Sequence, residues 1–242
     1  MAQGWVDQAL AAVRCEWGPA GVSAVPADVV VVIDVLRFTT AVDAAVSRGI
    51  AVHPYRWRDE GAARLAASVG AVLADGSPGA PSLSPGSLLD LPVGSAVVLP
   101  SPNGSTCAAL AAERGATVVA ACLRNAAAVA AWLSARSGTV TVVPCGERWP
   151  DGSLRPALED LLGAGAVIAA LDGSLSTSPE ADAGAAVWRA CPDRLPDVLA
   201  ACSSGREQVE RGWADDLAFA SDVGASSCVP LLVDGRFLDA TA

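Results

Sequence analysis

The fold of this chain is set by one stretch of its sequence, VVVVIDVLRFTT at residues 29–40. The stretch begins with five β-branched residues, and such a run predicts a strand that is buried on both faces. The strand ends on a carboxylate, Asp34. Beyond Thr40 the apolar residues fall on one face of a helix, which is expected to stop at Gly49. The stretch therefore predicts a buried strand that passes directly into a helix.

The turn between this strand and this helix carries several polar groups. It holds Asp34, Arg37, Thr39 and Thr40, which supply an acid, a base and two hydroxyls. In α/β proteins, ligands bind in the crevice at the carboxyl ends of the strands. We therefore expect this turn to belong to a ligand site.

The composition indicates a globular α/β protein. Of the 242 residues, 52% are hydrophobic and 5% are aromatic, so we expect a core built from Ala, Val and Leu. Short apolar runs alternate with alanine-rich helical patterns, which favours helices packed on a sheet. The fold class is predicted to be α/β, a three-layer α/β/α arrangement with a mixed, mainly parallel sheet. We predict one domain over residues 1–242, with a helical C-terminal portion from about residue 175.

The periodicity of the apolar residues places the elements along the chain. Strands are predicted at residues 29–33, 50–53, 71–74, 96–99, 117–122, 139–144 and 229–233. Helices are predicted at residues 40–48, 59–69, 105–114, 125–135 and 157–171. A further helical run over residues 178–222 is expected to break at Pro192, Pro196 and Gly205. The segment 75–94 is rich in Gly, Pro and Ser and predicts a functional loop or an insertion.

The charge balance and the cysteines limit the partners and the compartment. A net charge of −10 argues against a nucleic-acid backbone as partner. Seven scattered cysteines without metal-ligand spacing indicate reduced thiols and hence a cytoplasmic protein. The start of the chain has no signal-peptide pattern, and no apolar run reaches membrane-spanning length, so no membrane partner is expected. The oligomeric state stays open, with a homo-oligomer among the alternatives.

Several familiar chemistries are excluded by missing residues. All 16 basic residues are arginine, so the chain has no lysine for a Schiff base or a Walker-type phosphate loop. His53 is the only histidine, which leaves no second base for a histidine triad. An aspartate nucleophile of the dehalogenase type would need a second aspartate two residues later, where this chain has Leu36. Asp34 is therefore predicted to be a metal ligand rather than a nucleophile.

Polar clusters follow four of the predicted strands. They are the turn 34–40, SPNGST at 101–106, CLRNA at 122–126 and CGERWPDGS at 145–153. The carboxyl ends of parallel strands meet at one edge of a sheet, so we expect the four clusters to converge. Each cluster alone has a structural alternative, because Asn125 can cap a helix and Asn103-Gly104 is a common turn dipeptide.

The acids and bases of these clusters suit a metal ion and a phosphate group. Mg²⁺ is held by one or two carboxylates together with waters and substrate phosphate oxygens. The candidate carboxylates are Asp34, Glu147, Glu159 and Asp160. Arginine forks bind phosphate or carboxylate, and the candidates are Arg37, Arg124 and Arg148. The helix starts after Gly104 and at Asn125 offer backbone N–H groups to an anion. A solvated helix face is the competing explanation for the pair Glu159-Asp160.

Ordered motifs over most of the chain resemble the 2-phosphosulfolactate phosphatase family, the Mg²⁺-dependent enzymes of coenzyme M biosynthesis. The motifs are VVVIDVLRFTTAV at 30–42, Ser84-Pro85, LPSPNGST at 99–106, CLRNAAAVA at 122–130, VPCGERWPDGSLRPALEDLLGAGAVI at 143–168 and GWADDLAFASDVGASSCVP at 212–230. The resemblance implies a hydrolase that removes phosphate from a three-carbon sulfonated acid with Mg²⁺ as cofactor.

The resemblance also assigns roles to residues. It implies that Asp34 binds the metal, that Arg37 clamps a phosphate or sulfonate, and that Asn125 orients the substrate. It makes Asn103, Gly104 and Ser105 an anion-binding turn, and Glu159 and Asp160 a second pair of metal ligands or bases. Further substrate contacts are implied for Thr39, Thr40, Ser84, Arg124 and Gly146.

The chain departs from the family in the segment ADGSPGAPSLSP at 74–85. The family carries an acidic Gly-Glu-Arg-Gly-Gly element and then Gly-Phe-Asp ahead of an Asn-Ser-Pro. Here the segment is shorter, Leu83 replaces the asparagine, and Asp75 is the one carboxylate left. This departure keeps a second hypothesis open, a catalytically weak protein that binds small anions on the same scaffold. A purely structural subunit of a larger assembly is the third.

Overall fold

The computed structural model describes residues 6–171 and 173–240. The strands are β1 Val13–Cys15, β2 Val29–Ile33, β3 Ala51–Tyr55, β4 Val72–Leu73, β5 Ala96–Pro100, β6 Thr117–Ala121, β7 Val140–Pro144, β8 Glu147–Arg148, β9 Leu154–Arg155, β10 Pro230–Val233 and β11 Arg236–Asp239. The helices are α1 Gly18–Ala24, α2 Phe38–Val46, α3 Glu60–Val69, α4 Pro85–Leu89, α5 Gly104–Glu113, α6 Ala126–Ser134, α7 Leu158–Ala169, α8 Pro179–Arg189, α9 Leu195–Ala201, α10 Ser203–Glu210 and α11 Ala214–Ala220. None of the helices in these ranges is long and apolar enough to cross a membrane.

Nine of the strands form one mixed sheet in the order β1-β7-β2-β6-β10-β11-β3-β5-β4. Strands β1, β7, β2 and β6 pair in parallel, and so do β3, β5 and β4. The hairpin β10–β11 lies between these two groups and makes three antiparallel pairings in succession. Because three reversals are an odd number, the two parallel groups run in opposite directions.

Both faces of the sheet are covered, as the apolar run of β2 predicts. Val29, Val31 and Ile33 pack into a core with helices α6, α7, α8, α9 and α11. Val30 and Val32 point the other way, into a core with helices α1, α2, α4 and α5. Burying each of these side chains contributes roughly 1.5–3 kcal/mol, which is why the strand is apolar throughout rather than alternating. The three-layer α/β/α fold is confirmed.

The predicted elements all appear, with shifted ends, and the structure adds several that the sequence did not reveal. The additions are β1, β8, β9, β11, α1 and α4. The clearest missed signal was Asp234-Gly235, a dipeptide typical of two-residue hairpin turns, whose φ angles are 48° and 78°. It joins β10 to β11, so the strand predicted at residues 229–233 was missing its partner.

The predicted breaks in the C-terminal helical run are right at one position and wrong at two. Pro192 starts a short 3-10 turn, Pro192–Arg194, that ends one helix before the next begins. Pro196 lies in the first turn of α9, where the missing N–H of proline has no cost. Gly205 lies inside α10, where an added Cβ would come within 1.7 Å of the Leu199 carbonyl oxygen. The further breaks are at Cys202, whose backbone is extended, and at residues 211–213 between α10 and α11.

Candidate active site

Asp34 ends β2 and its carboxylate is held by backbone groups from two segments. Oδ1 accepts the N–H of Phe38 at 3.2 Å, and Oδ2 accepts the N–H of Gly104 at 2.9 Å. The Ser101 hydroxyl lies 3.4 Å from Oδ2. The residue is 7% exposed, so this ionisable group is nearly buried but keeps one open side.

The turn after β2 is shaped by its two threonines. The Thr39 hydroxyl donates to the Asp34 carbonyl at 2.9 Å and accepts the Asp34 N–H at 3.0 Å. The Thr40 hydroxyl donates to the Val35 carbonyl at 2.7 Å. Both threonines are fully buried. Their hydroxyls therefore hold the turn, and as placed here they do not face the cavity in which a substrate would bind.

Gly104 is a glycine because its backbone approaches Asp34 closely. A Cβ at this position would lie 2.8 Å from Asp34 Oδ2 and 2.2 Å from the Phe38 ring. The predicted anion-binding turn therefore does bind an anion, but that anion is the carboxylate of the protein itself. The neighbouring Ser105 is fully buried and does not line the cavity described next.

The open side of Asp34 faces a cavity of about 890 Å³. Its lining includes Arg37 from the β2–α2 turn, Asn103 from the start of α5 and Glu147 from β8. The structure thus brings together three of the four predicted polar clusters. The segment after β5 belongs to the reversed group of strands, so a shared parallel edge does not explain its arrival. The observed link between the two segments is the hydrogen bond from the Gly104 N–H to Asp34.

Glu147 lies opposite Asp34 in this cavity and is held by Asn103. The Asn103 amide donates to Glu147 Oε2 at 2.9 Å. Burial, reinforced by the charge of Asp34, raises the pKa of Glu147 to about 7. Burial also raises the pKa of Asp34 to about 6, although the N–H groups of Phe38 and Gly104 work against the rise. The cavity therefore brings two largely buried carboxyl groups near each other, an arrangement that a cation stabilises.

Asp160 and Glu159 lie behind the cavity rather than in it. Asp160 accepts the N–H groups of Val35 and Gly146, each at 2.8 Å, and so ties the turn after β2 to the turn after β7. Glu159 accepts from the Cys202 thiol at 3.5 Å. They are 3% and 2% exposed, so the alternative of a solvated helix face is wrong.

The burial of Asp160 raises the pKa of that carboxyl well above its ordinary value, with the charges of Glu159 and Asp34 adding to the rise. In addition, neither Asp160 nor Glu159 lines the cavity, so a metal ion bound in the cavity would not be coordinated by them. Within residues 6–171 and 173–240, no three His, Cys, Asp or Glu side chains are placed to share one ion.

Arg37 is buried beside the cavity and is held from two directions. Its Nη1 lies 2.5 Å from Asp216 Oδ2, and its guanidinium carbon lies 4.0 Å from the centre of the Trp213 ring. Asp216 also accepts the Ser84 hydroxyl at 2.5 Å. Ser84 was predicted to contact substrate, but in the structure its hydroxyl is committed to Asp216.

Asp216 is not among the predicted site residues, although its place in an apolar stripe of the sequence indicates that it is buried. It shares one face of α11 with Leu217 and Ala220, both buried, whereas its neighbour Asp215 is exposed. An acid inside an apolar stripe needs a buried partner. Gln208 was missed as well: it lines the cavity, is 8% exposed, and its side-chain oxygen has no partner among the described residues.

The cluster after β6 does not reach the cavity. Arg124 binds Asp43 at 3.2 Å and the Phe219 carbonyl at 3.1 Å. Asn125 is fully buried, where its carboxamide accepts the Cys122 N–H and donates to the carbonyls of Ala120 and Cys228. Both side chains bond to other parts of the protein, and neither lines the cavity beside Asp34. The predicted substrate contacts of Arg124 and Asn125 therefore lie outside this cavity.

Gly146 also has a structural role. Its φ is +66°, a conformation that favours glycine, and its N–H is taken by Asp160. A Cβ there would lie 2.9 Å from the Arg155 carbonyl oxygen. The last of the predicted arginines, Arg148, does line the cavity, together with Arg58 and Arg211.

A comparison with protein-family models matches residues 20–235 to the family described as "2-phosphosulpholactate phosphatase". The chain belongs to the 2-phosphosulfolactate phosphatase family. The match covers the whole of the candidate site, from the turn after β2 to the Arg37 partner on α11. This family member is accordingly a phosphatase of that kind, a phosphoric monoester hydrolase.

The shortened loop of this 2-phosphosulfolactate phosphatase lies at the cavity. Asp75, Gly76, Ser82 and Leu83 all line it. The Asp75 carboxylate accepts the Ser77 N–H at 2.9 Å, and this bond lowers its pKa. The loop thus contributes one carboxylate, Asp75, to the cavity lining. Its Ser84 donates to Asp216, which in turn binds Arg37.

Proposed function

We propose that the protein is an Mg²⁺-dependent phosphatase that hydrolyses 2-phosphosulfolactate, or a related small phosphorylated acid, at the cavity beside Asp34. The products are sulfolactate, or the corresponding hydroxy acid, and phosphate. The observation that carries the proposal is the placement of Asp34. Its carboxylate is fixed between two backbone N–H groups and opens on a cavity that also holds Glu147 and Arg37.

The donor chemistry at the cavity fits Mg²⁺. Asp34 and Glu147 are hard oxygen donors, and burial raises the pKa of both, with the charge of Glu159 adding to the rise at Asp34 and that of Asp34 adding to the rise at Glu147. One or two protein carboxylates are the usual number for this ion, so Asp34 and Glu147 are enough among the carboxylates that line the cavity. Mg²⁺ bound by them would neutralise and polarise a substrate phosphoryl group.

The remaining groups have roles that follow from their positions. Arg37 would bind a phosphate or sulfonate oxygen with the guanidinium N–H groups that Asp216 does not use. Asn103 fixes Glu147 by its hydrogen bond. If Asp34 alone coordinates the ion, Glu147, with a pKa of about 7, has the proton affinity of a general base that activates water near neutral pH. Gln208 would present its carboxamide to the substrate from α10.

The test is phosphate release from 2-phosphosulfolactate with and without Mg²⁺. We expect the Asp34→Asn variant to lose more than about 100-fold of the Mg²⁺-dependent rate, because it loses charge where the transferring group is stabilised. Asp90→Asn is the matched control, since Asp90 is exposed at the end of α4. A rate unchanged by chelation and by Asp34→Asn would refute the proposal.

The shortened loop supports a second candidate, a weakly catalytic protein that binds small anions. Only Asp75 places a loop carboxylate at the cavity, and its side chain is already bonded to Ser77. Calorimetric binding of the phosphorylated acid without turnover would favour this candidate. Turnover of about 1 per second or more would exclude it.

A further inference from the structure

One buried cluster joins three distant segments behind the cavity. Arg37 comes from the turn after β2, Ser84 from the end of the shortened loop, and Asp216 from α11. Asp216 accepts from both of the others, one at each carboxylate oxygen and each at 2.5 Å. Arg37 and Asp216 are 7% and 5% exposed. Because the pair is shielded from solvent, its geometry is far less variable than that of a surface ion pair.

The cluster fixes the guanidinium of Arg37 in position and in plane. Asp216 holds one edge through Nη1, and the Trp213 ring covers one face at 4.0 Å. The other N–H groups of Arg37 have no protein partner among the residues that the structure describes. Arg37 lines the cavity and Asp216 does not, so the unused donors of Arg37 are the ones available to a ligand there. An arginine held in this way loses little conformational freedom when it binds an oxyanion.

We propose that Asp216, supported by Ser84, is a positioning residue that orients Arg37 for an oxyanion of the substrate. The inference rests on the proposed function only in that Arg37 is taken to bind a phosphate or sulfonate. It assigns a role to the one element of the shortened loop that the family motif retains, Ser84-Pro85. That serine stabilises the carboxylate that holds the arginine, and it does not contact substrate.

The experiment measures binding of inorganic phosphate by calorimetry together with KM and kcat for 2-phosphosulfolactate. Asp216→Asn is expected to raise both the Kd for phosphate and KM by about 10-fold or more, with a smaller change in kcat. Asp216→Glu should recover part of the loss. Asp215→Asn is the matched control, because this neighbouring aspartate is exposed, and we expect its constants to equal those of the wild type.

A double-mutant cycle separates positioning from a merely structural role. If Asp216 acts through Arg37, then Arg37→Gln combined with Asp216→Asn binds phosphate no more weakly than Arg37→Gln alone. Effects that multiply instead would overturn the inference, and so would an Asp216→Asn variant that binds phosphate like Asp215→Asn. Should Asp216→Asn fail to fold, Ser84→Ala provides the test. We expect it to weaken phosphate binding by about 3-fold, and unchanged binding would overturn the inference.

The outcomes also distinguish this inference from the proposed function. If the wild type binds phosphate but does not hydrolyse the ester, the proposed phosphatase activity is refuted. The double-mutant cycle on phosphate binding then still tests the role of Asp216. If the wild type hydrolyses the ester and Asp216→Asn has the same KM and kcat as the wild type, only the positioning role is refuted. Failure of the wild type to bind phosphate would overturn the Arg37 clamp and the inference with it.

Discussion

At the scale of the residue, the site depends on a backbone group that approaches a carboxylate closely. The sequence marks Asn103-Gly104 as a turn, and the resemblance marks it as an anion-binding turn. Neither reveals that the anion is Asp34, because that contact joins residues 70 positions apart. The same holds for Asn125 and Arg124, whose chemistry suits a ligand but is used by internal partners. Residue type predicts what a side chain can bind, and only the fold decides what it meets.

Gly104→Ala tests this close approach. The added methyl group would clash with the Phe38 ring and with Asp34 Oδ2, so we expect a loss of about 1–3 kcal/mol in the free energy of unfolding and a large loss of activity. Urea titration and the phosphate-release assay measure the two effects. Gly184→Ala is the control, because a Cβ there makes only ordinary contacts of 3.7 Å or more. A Gly104→Ala variant as stable and active as Gly184→Ala would contradict the account.

At the scale of the element, apolar runs predicted every strand of the two parallel groups except β1, which has three residues. What they could not predict was the hairpin β10–β11 inserted between the groups, which reverses the second group. The prediction that the four polar clusters converge assumes that all the strands share one parallel edge, and β5 does not share it. The result is right for the segments after β2, β5 and β7 and wrong for the one after β6. Pairing between strands that are distant in sequence leaves little trace in the local pattern of apolar residues. The order of the strands in the sheet could therefore not be predicted from that pattern.

The turns after β2 and β7 are joined by Asp160, so Asp160→Asn tests how elements build the site. Asparagine keeps one acceptor oxygen and turns an amide group toward the second backbone N–H, which leaves that donor unpaired. We expect a loss of about 1–3 kcal/mol in the free energy of unfolding, measured by urea titration. The exposed Asp90→Asn serves as the comparison. Equal stability of the two variants would show that Asp160 does not hold the turns together.

At the scale of the whole molecule, an acidic chain gathers several of its carboxylates in its interior. Asp34, Glu159 and Asp160 are buried, and Glu147 is partly buried, although the net charge is already −10. Burying carboxylates close to one another costs free energy, because desolvation and mutual repulsion both disfavour their charged forms. Of these four, Asp34 and Glu147 line the cavity, where the proposed cation would offset their charges. The composition could not reveal this arrangement, because it records how many acids there are and not where they meet.

The buried acids make the stability of the ligand-free protein depend on pH. The pKa of Glu147 is raised from 4.5 to about 7, so between these values the folded state binds more protons than the unfolded state. Stability therefore falls as the pH rises through this window, by at most about 1.4 kcal/mol per pH unit for one group. Urea titrations from pH 5 to pH 7 check the slope. Glu147→Gln should flatten it, and the exposed Glu210→Gln should not. An equal slope in the wild type and Glu147→Gln would refute the assignment.

The central claim is that Asp34 and its cavity form the Mg²⁺-dependent centre of a phosphatase. The most direct measurement is the Mg²⁺ concentration that gives half-maximal phosphate release from 2-phosphosulfolactate. We predict that the wild type is activated by Mg²⁺ and that Asp34→Asn either shows no activation or needs more than about 10-fold more Mg²⁺. The same activation curve for the wild type, Asp34→Asn and the control Asp90→Asn would contradict the claim.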